Sequence, residues 1–247
     1  MKALKTEKIL SVNICSSPKK LIIDTLQKRM AHKKRTVVFT PNTQMILNAQ
    51  ASKKAIALLN SSTLNVPDGT GVVMASKLLG GKIKARISGI DLADALLHLA
   101  QKRKYRVFLL GAKRGIAKKA RKNLKACYPK LKICGTHHGY FKKNGKENEK
   151  IIKKINAARP DVIFVCFGSP AQDIWITKNA RALNSVKLFI GLGGSLDVWA
   201  GNIKRAPVIF QITGLEWLYR TVKEPKRAKI FIDIPRFLFE VLMSKSY

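Results

Sequence analysis

Acidic residues are scarce in this sequence. Its 247 residues include 14 Asp and Glu against 48 Lys and Arg, which gives a formal net charge of +34 at pH 7. A chain this basic attracts polyanions, so nucleic acids, anionic membrane surfaces and phosphorylated small molecules are the partners to weigh. Hydrophobic residues make up 46% of the chain. That share is enough to bury a core, and it excludes a disordered basic tail.

Cysteine pairs and long hydrophobic runs are also missing. The four cysteines form no Cys-x-x-Cys pair, so neither a zinc site nor a disulfide framework is predicted. Reduced thiols of this kind are typical of the cytoplasm. No apolar run approaches the roughly 18 residues that cross a bilayer, and Ser11 and Asn13 interrupt the first one. We therefore expect neither export nor a membrane span.

Short β-branched runs alternate with helical patterns along most of the chain. Runs such as residues 162–167 are apolar throughout, which is typical of strands buried on both faces of a parallel sheet. Because strand–helix–strand units are right-handed, this alternation predicts an α/β fold with a doubly wound, mostly parallel Rossmann-like sheet. The predicted strands are residues 9–14, 36–40, 63–66, 105–110, 131–134, 162–167 and 186–190. The predicted helices are residues 19–31, 44–60, 92–104, 116–127, 147–158 and 172–181.

The C-terminal part differs in kind from residues 1–203, which we predict to be the α/β core, in one or two lobes. Residues 204–247 contain nine Lys or Arg and four Asp or Glu among several aromatic residues. Pro207, Pro225 and Pro235 are expected to divide this part into short helical pieces. In residues 232–243, apolar side chains cover most of a helix circumference. Two interpretations stay open, a terminal helix docked on the core or a basic helical appendage on a membrane surface.

Turns after the predicted strands are the places to look for a ligand site, because open α/β sheets bind ligands outside the carboxyl ends of their strands. Several of these turns are rich in glycine, which offers backbone N–H groups to phosphate. None is a Walker A loop, and GLGGSL (residues 191–196) lacks the third glycine of the dinucleotide fingerprint. No Asp-x-Asp pair is present to hold a metal ion.

Asp68 is the best-placed general base among the 14 carboxylates. It follows a predicted strand and stands between Pro67 and Gly69. A carboxylate at a strand end can accept a proton from a substrate hydroxyl. Pro-Asp-Gly is also ordinary turn chemistry, so spacing alone leaves a purely structural role for Asp68 open.

Eight collinear motifs span roughly residues 8 to 230, nearly the whole chain. They are TPNTQM (40–45), PDGTGVVMASK (67–77), RISGIDL (86–92), HGYF (138–141), FGSPAQD (167–173), GGSLDVWAG (193–201), RAP (205–207) and GLEWLYRTVKEPKR (214–227). Together they resemble the WecG/TagA/CpsF glycosyltransferase family. The resemblance implies an inverting, metal-independent hexosyltransferase without a cofactor. Such an enzyme moves an N-acetylmannosamine-type sugar from UDP to undecaprenyl-diphosphate-linked GlcNAc, as in synthesis of the teichoic-acid linkage of the cell wall.

The same resemblance implies roles for individual residues around the sugar. It assigns Asp68 as the catalytic base. Thr40 and Asn42 match family positions that line the active site, where they orient the sugar or the base. Gln172 matches a glutamine that contacts the nucleotide or the sugar.

Other residues are assigned to the diphosphate. The charge that grows on the leaving UDP needs positive groups or backbone N–H groups near it. Arg86, together with Gly193 and Gly194 of a glycine-rich turn, is expected to meet that charge in place of a metal ion. Arg220 and Arg227 match basic positions in the family's C-terminal appendage, which is expected to close over the site at the membrane.

The expected partners follow from this chemistry. They are a UDP-activated amino sugar, a lipid-diphosphate-linked acceptor and an anionic membrane surface, while self-association is left open. The expected location is peripheral, on the inner face of the bacterial cell membrane. Residues 170–173 read PAQD where the family's usual form is PKQE. The resemblance implies N-acetylmannosamine or a derivative of it as the donor, and this difference leaves the choice between them open.

Two alternatives come from other functional classes. A nucleic-acid-binding protein would explain the charge, but its lysines should cluster with stacking aromatic residues. Here the lysines are spread along helical stretches such as AKKARKNLKA, so nucleic acid is not an expected partner. An NAD-dependent oxidoreductase would explain the fold, but the fingerprint for that cofactor is missing.

Overall fold

The structure, a computed structural model, describes residues 3–223 and 228–244. The chain divides into two compact units. The first unit comprises residues 1–22, 40–88 and 205–247, and the second comprises residues 23–39 and 89–204. The functional boundary predicted at residue 204, between a core and a membrane appendage, stays a prediction.

Eight strands and twelve α-helices are seen in the described residues. In chain order they are β1 (Thr6–Ile9), β2 (Val12–Cys15), α1 (Lys19–Ala31), β3 (Thr36–Phe39), α2 (Thr43–Ala49), α3 (Lys53–Asn60), β4 (Leu64–Asn65), α4 (Thr70–Leu78), α5 (Gly89–Arg103), β5 (Arg106–Gly111), α6 (Ile116–Cys127), β6 (Lys132–His137), α7 (Gly145–Ala158), β7 (Val162–Cys166), α8 (Ala171–Asn179), β8 (Leu188–Gly191), α9 (Ser195–Trp199), α10 (Val208–Ile212), α11 (Glu216–Lys223) and α12 (Ile230–Met243).

The second unit contains a parallel sheet. Five of its strands lie in the order β3–β8–β7–β5–β6, and each neighbouring pair runs parallel. Strands β7 and β8 are buried along their whole length, because helices such as α8 pack against both of them. The α/β class and the mostly parallel sheet predicted from the sequence are confirmed.

The order of the strands reverses between β5 and β7. The chain passes from β5 through α6 to β6 on one side, and then returns through α7 to β7 on the other side of β5. A doubly wound sheet binds its ligand at such a reversal, outside the carboxyl ends of the strands. Gly111 ends β5 there, and a Cβ added to it would overlap the Cys166 carbonyl of β7. Glycine is thus needed where the two strand ends approach each other.

The first strand of the sequence prediction is wrong. Instead of one strand over residues 9–14, the first unit begins with an antiparallel hairpin in which Ile9 pairs with Val12. Leu10 and Ser11 form the turn, with φ of 46° and 64°. A two-residue turn with two positive φ angles normally uses Asn or Gly, so Leu-Ser gave no signal for it.

The helix predicted over residues 44–60 is also interrupted. It forms two helices, α2 and α3, because Ser52 caps the second one with its Oγ, which accepts from the Ala55 N–H at 3.2 Å. Gln50 ends the first helix, and its side chain donates to the Leu10 carbonyl at 2.9 Å. A serine favours a helix start over a helix interior.

The C-terminal helix α12 packs against α2 and α4 within the first unit. Its buried residues Asp233, Phe237 and Val241 recur every four positions and so share one face. Pro235 was expected to divide this segment, but the helix runs through it. Packing of the buried face offsets the hydrogen bond that proline removes, a loss of ~3 kcal/mol in a helix interior. No helix in the described ranges is both long and apolar enough to span a membrane.

We expect Phe237→Ala to lower the free energy of unfolding by about 3 kcal/mol or more. Phe237 is fully buried, so its removal leaves a cavity between α12 and the helices beneath it. Phe239→Ala is the matched control, because Phe239 lies on the same helix with 62% of its surface exposed. That change should stay within about 0.5 kcal/mol. Urea unfolding followed by circular dichroism measures both, and equal losses would contradict the packing described.

Candidate active site

The turn that carries Asp68 is held by backbone hydrogen bonds on both sides. The Asp68 N–H donates to the Pro41 carbonyl at 3.1 Å, and the Ile87 N–H donates to the Pro67 carbonyl at 2.8 Å. Three chain segments, residues 40–42, 67–69 and 86–88, therefore meet in the first unit. The Asp68 side chain is half-buried, which suits a base that must reach a substrate.

Thr40 and Asn42 flank Pro41, whose carbonyl accepts from the Asp68 N–H at 3.1 Å. Thr40 is buried. Asn42 caps α2, since its Oδ1 accepts from the Met45 N–H at 3.0 Å. A Cβ added to Gly69 would lie 3.8 Å from Asn42 Cβ, so the two turns are in contact. The cap commits the Asn42 side-chain oxygen to the protein.

Arg86 and Arg220 are brought together by a residue that sequence reasoning missed. The Arg86 guanidinium donates to Glu216 Oε2 at 3.0 Å and to the Gln211 carbonyl at 2.8 Å. Arg220 Nη1 lies 4.0 Å from Glu216 Oε1. Glu216 stands within the GLEW motif, but its partner Arg86 is 130 positions away. The GLEW motif singled out the segment that contains Glu216, but no sequence pattern identified the ion pair.

A second contact seats the C-terminal segment on the Asp68 turn. Thr70 Oγ1 donates to the Gly214 carbonyl at 2.7 Å. A Cβ added to Gly214 would come within 2.9 Å of Thr70 Oγ1, and Gly214 has φ of +77°. Both its conformation and its close approach therefore call for glycine. The loop between α10 and α11 thus borders the turn that carries the candidate base.

The second unit contains three predicted site residues, Gln172, Gly193 and Gly194. Two of them, Gln172 and Gly193, are hydrogen-bonded to each other. The Gly193 N–H donates to Gln172 Oε1 at 2.9 Å, so the loop after β8 is tied to the first turn of α8. Gly193 adopts φ of +53°, and Gly194 next to it is exposed. These residues lie at the carboxyl ends of β7 and β8, where the Leu192 N–H donates to the Val165 carbonyl at 2.9 Å.

Asp173 is a buried carboxyl group beside this loop. It is completely buried, and within the described part of the chain neither of its carboxylate oxygens has a hydrogen-bond partner. A Cβ on Gly191 would lie 3.1 Å from Asp173 Oδ1. Burial raises the pKa of Asp173 to about 6, and the nearby polar groups of Ser169 and Gln172 offset only part of that rise.

A basic cavity opens beside the end of β6 in the second unit. Its volume is about 230 Å³, and its lining residues are Gly115, Ala117, Lys118, Thr136, His137, His138 and Lys154. Burial and the neighbouring cations lower the pKa of both histidines, which favours the neutral form of each ring. The charge here comes from lysines with no acidic side chain in the lining, which favours an anion.

Metal-ligating side chains are not gathered in this way. Over residues 3–223 and 228–244, no three His, Cys, Asp or Glu side chains lie together in a geometry that could hold a metal ion. The positive groups near the Asp68 turn are arginines, and those in the second unit are lysines and backbone N–H groups. Arg227, the remaining predicted residue, lies outside the described residues.

A doubly wound parallel sheet with glycine-rich turns at its strand ends places this chain in the class of α/β proteins that bind ligands at the carboxyl ends of their strands. The particular family follows from comparison with known proteins. The family model described as "Glycosyl transferase WecG/TagA/CpsF family" matches residues 7–246. The chain belongs to this family, and it is a glycosyltransferase.

Curated relatives share one name. A Bacillus subtilis (strain 168) protein is 37% identical over 97% of this chain and 92% of its own length. A Bacillus spizizenii protein is 37% identical over 85% and 79% of the two chains. A Staphylococcus aureus (strain MRSA252) protein is 34% identical over 96% and 92%. Each is named N-acetylglucosaminyldiphosphoundecaprenol N-acetyl-beta-D-mannosaminyltransferase. Neither a nucleic-acid-binding protein nor an NAD-dependent enzyme is among these three.

We expect Asp173→Asn to stabilise the protein at high pH. Burial raises the pKa of this carboxyl from its ordinary value of 3.8 to about 6 in the folded state, so the folded state holds more protons between those values. The free energy of unfolding of the wild type should therefore fall as the pH rises from about 4 to 6. The variant should lose that dependence and be more stable at pH 8, by on the order of 2 kcal/mol. Urea unfolding at pH 4.5 and pH 8 measures this, and parallel profiles would contradict it.

Proposed function

We propose that this enzyme transfers an N-acetylmannosaminyl group from UDP to GlcNAc-diphosphoundecaprenol, with inversion at the anomeric carbon. The observation that carries the proposal is the meeting of the Asp68 turn with Thr40, Asn42 and the Arg86–Glu216 pair. The relatives that bear this activity name cover nearly the whole chain, which supports the same reaction here.

Asp68 acts as the general base in this reaction. The acceptor hydroxyl attacks the anomeric carbon from the face opposite UDP, and the Asp68 carboxylate takes the hydroxyl proton as the new C–O bond forms. The bond between the anomeric carbon and the UDP phosphate oxygen breaks with its electron pair, so UDP leaves as an anion. One displacement of this kind inverts the configuration.

The second unit supplies the donor-binding groups. Three features support this: the loop that joins Gln172 to Gly193, the reversal of strand order at β5 and β7, and the basic cavity at the end of β6. Backbone N–H groups of glycine turns and nearby lysines both favour a nucleoside diphosphate. Gln172 orients the nucleotide or sugar, while Gly193 and Gly194 approach the diphosphate closely.

Fixed positive charge replaces a metal ion as the stabiliser of the leaving group. A guanidinium offers several N–H donors in a plane that matches phosphate oxygens, and preorganised donors need no rearrangement as charge develops. Arg86 is such a donor, because Glu216 and the Gln211 carbonyl fix its position. Arg220 and Arg227, which follow Glu216 in the sequence, supply further positive charge.

A membrane surface is proposed for the first unit, on the inner face of the cell membrane, where the lipid-linked acceptor is held. The apolar surface, as we call it, consists of exposed side chains in residues 208–243. Its members are Val208, Ile209, Ile212, Leu215, Val222, Phe231, Ile232, Phe239, Leu242 and Met243. Such a dense run of exposed apolar side chains marks an interaction site. Neighbouring Lys and Arg each add ~1 kcal/mol at an anionic surface.

We expect Asp68→Asn to reduce transfer by about 10²- to 10⁴-fold, because the amide cannot take the acceptor proton. UDP affinity should stay close to that of the wild type. A transfer assay with UDP-N-acetylmannosamine and a short-chain lipid-diphosphate GlcNAc analogue measures the first, and calorimetry the second. Asp24→Asn, an exposed carboxylate on α1, is the control. Full turnover by a folded Asp68→Asn protein would remove Asp68 from the mechanism.

The double change Ile212→Glu and Phe239→Glu should lower binding to phosphatidylglycerol vesicles by at least about 10-fold. Both side chains are largely exposed, at 81% and 62%, so the fold should persist while apolar contact is lost and negative charge is added. Ile174→Glu is the control, since Ile174 is 38% exposed in the second unit. Vesicle sedimentation gives the result. Unchanged binding by the double variant would refute the membrane role of the apolar surface.

A further inference from the structure

Glu216 is a buried carboxylate between two arginines. It is 7% exposed, and its two oxygens face different partners, Oε2 towards Arg86 at 3.0 Å and Oε1 towards Arg220 at 4.0 Å. A carboxylate removed from water needs compensating charge. Here the compensation is more than complete, because two guanidinium groups share one carboxylate and leave a net positive charge.

The position of this group is set by chain segments on both sides of the Asp68 turn. Arg86 precedes Ile87, whose N–H is bonded to the Pro67 carbonyl at 2.8 Å. Glu216 follows Gly214, whose carbonyl accepts from Thr70 Oγ1 at 2.7 Å. Arg86 also donates to the Gln211 carbonyl. The guanidinium is thus aligned by the C-terminal segment itself, and its alignment depends on that segment being seated.

We propose that Glu216 is a positioning residue that holds Arg86 and Arg220 as one binding site for a diphosphate group. The proposal rests on the proposed function, in which both substrates carry a diphosphate. Glu216 and the Gln211 carbonyl both accept from Arg86 Nη2, which fixes the guanidinium plane in which the other N–H donors meet the substrate. Without the Glu216 carboxylate, Arg86 keeps its charge and loses its orientation, a change that costs affinity or turnover rather than abolishing the fold.

Glu216→Gln tests the proposal, because glutamine keeps the size of the side chain and removes its charge. We expect a folded protein whose kcat/KM falls by about 10- to 100-fold, as for the loss of one charged hydrogen bond. A higher KM for the short-chain lipid-diphosphate acceptor with kcat unchanged identifies the acceptor diphosphate as the ligand. A lower kcat with weaker UDP binding identifies the leaving diphosphate. A folded variant with wild-type KM, kcat and UDP affinity overturns the proposal.

A double variant shows whether Glu216 acts through Arg86 or has an independent effect on transfer. If Glu216 acts through Arg86, the double variant Glu216→Gln with Arg86→Lys should be no worse than the more damaged single variant. Losses that multiply would overturn the proposal. Glu240→Gln is the matched control, since Glu240 pairs with Arg236 at 3.0 Å on the surface of α12. Its loss should leave turnover with the soluble acceptor within about twofold, as is usual for exposed pairs.

Two further arms keep the outcomes distinct. If Glu216→Gln does not fold, Glu216→Asp keeps the charge and draws it back by one methylene group, so wild-type kinetics in that folded variant would overturn the proposal. If the wild type transfers no sugar, the proposed function fails. Calorimetry with UDP and with the acceptor analogue still tests Glu216 in that case, and equal affinities of wild type and Glu216→Gln for both ligands would overturn its role.

Discussion

The ion pair between Arg86 and Glu216 is the interaction that fixes α11 beside the Asp68 turn, while α12 is held by its own packing on α2 and α4. Exposed ion pairs contribute at most about 1 kcal/mol, but removing one partner of a buried pair leaves an uncompensated charge at a cost of ~3–5 kcal/mol. With Glu216 nearly buried, the segment and Arg86 are fixed together. The hydrogen bond from Thr70 to the Gly214 carbonyl joins two uncharged groups. It also positions the segment but contributes less to stability, ~1 kcal/mol.

The scarcity of acid gives each paired carboxylate unusual structural weight. Glu216 orients Arg86, and Asp233 on α12 accepts from Gln44 Nε2 of α2 at 2.9 Å. In the second unit, Asp161 accepts the Arg106 N–H at 2.8 Å and pairs with Lys187 at 2.7 Å. With 14 acids and 48 bases in the chain, most positive charge has no such partner. It is therefore available for anionic ligands and surfaces.

The ends of β3 and β7 were predictable to within one residue, because apolar runs are local features of the sequence. The turns that follow these strands could therefore be located, whereas the roles of Thr40 and Gln172 came from the family resemblance and stay predictions. The GLEW motif likewise drew attention to the right segment. The partner of Glu216 was beyond such reasoning, since 130 positions separate it from Arg86 and no local pattern encodes a pair that only tertiary structure creates.

The errors in the predicted elements have physical causes of the same kind. The Leu10–Ser11 turn uses positive φ at residues that disfavour it, so only strand pairing reveals it. At Pro235 the local signal was clear, and tertiary packing of Phe237 and Val241 overrode it. Buried Asp173 was visible in the sequence only as one acid among 14. Its raised pKa comes from burial, which composition and spacing do not report.

The apolar circumference of α12 is compatible with both interpretations that the sequence left open; docking on α2 and α4 is seen, and the membrane surface stays a proposal. A soluble surface helix has one apolar face, which packs on the core. In α12 the face with Phe237 and Val241 is buried in the first unit, while Ile232 and Phe239 remain exposed on another. Docking therefore uses only part of the apolar side chains, and the rest form the apolar surface. Under the proposed function, the apolar surface meets the lipid, while α11 holds Glu216 near the Asp68 turn. The acceptor hydroxyl then reaches Asp68 while the lipid-linked diphosphate stays at the membrane surface.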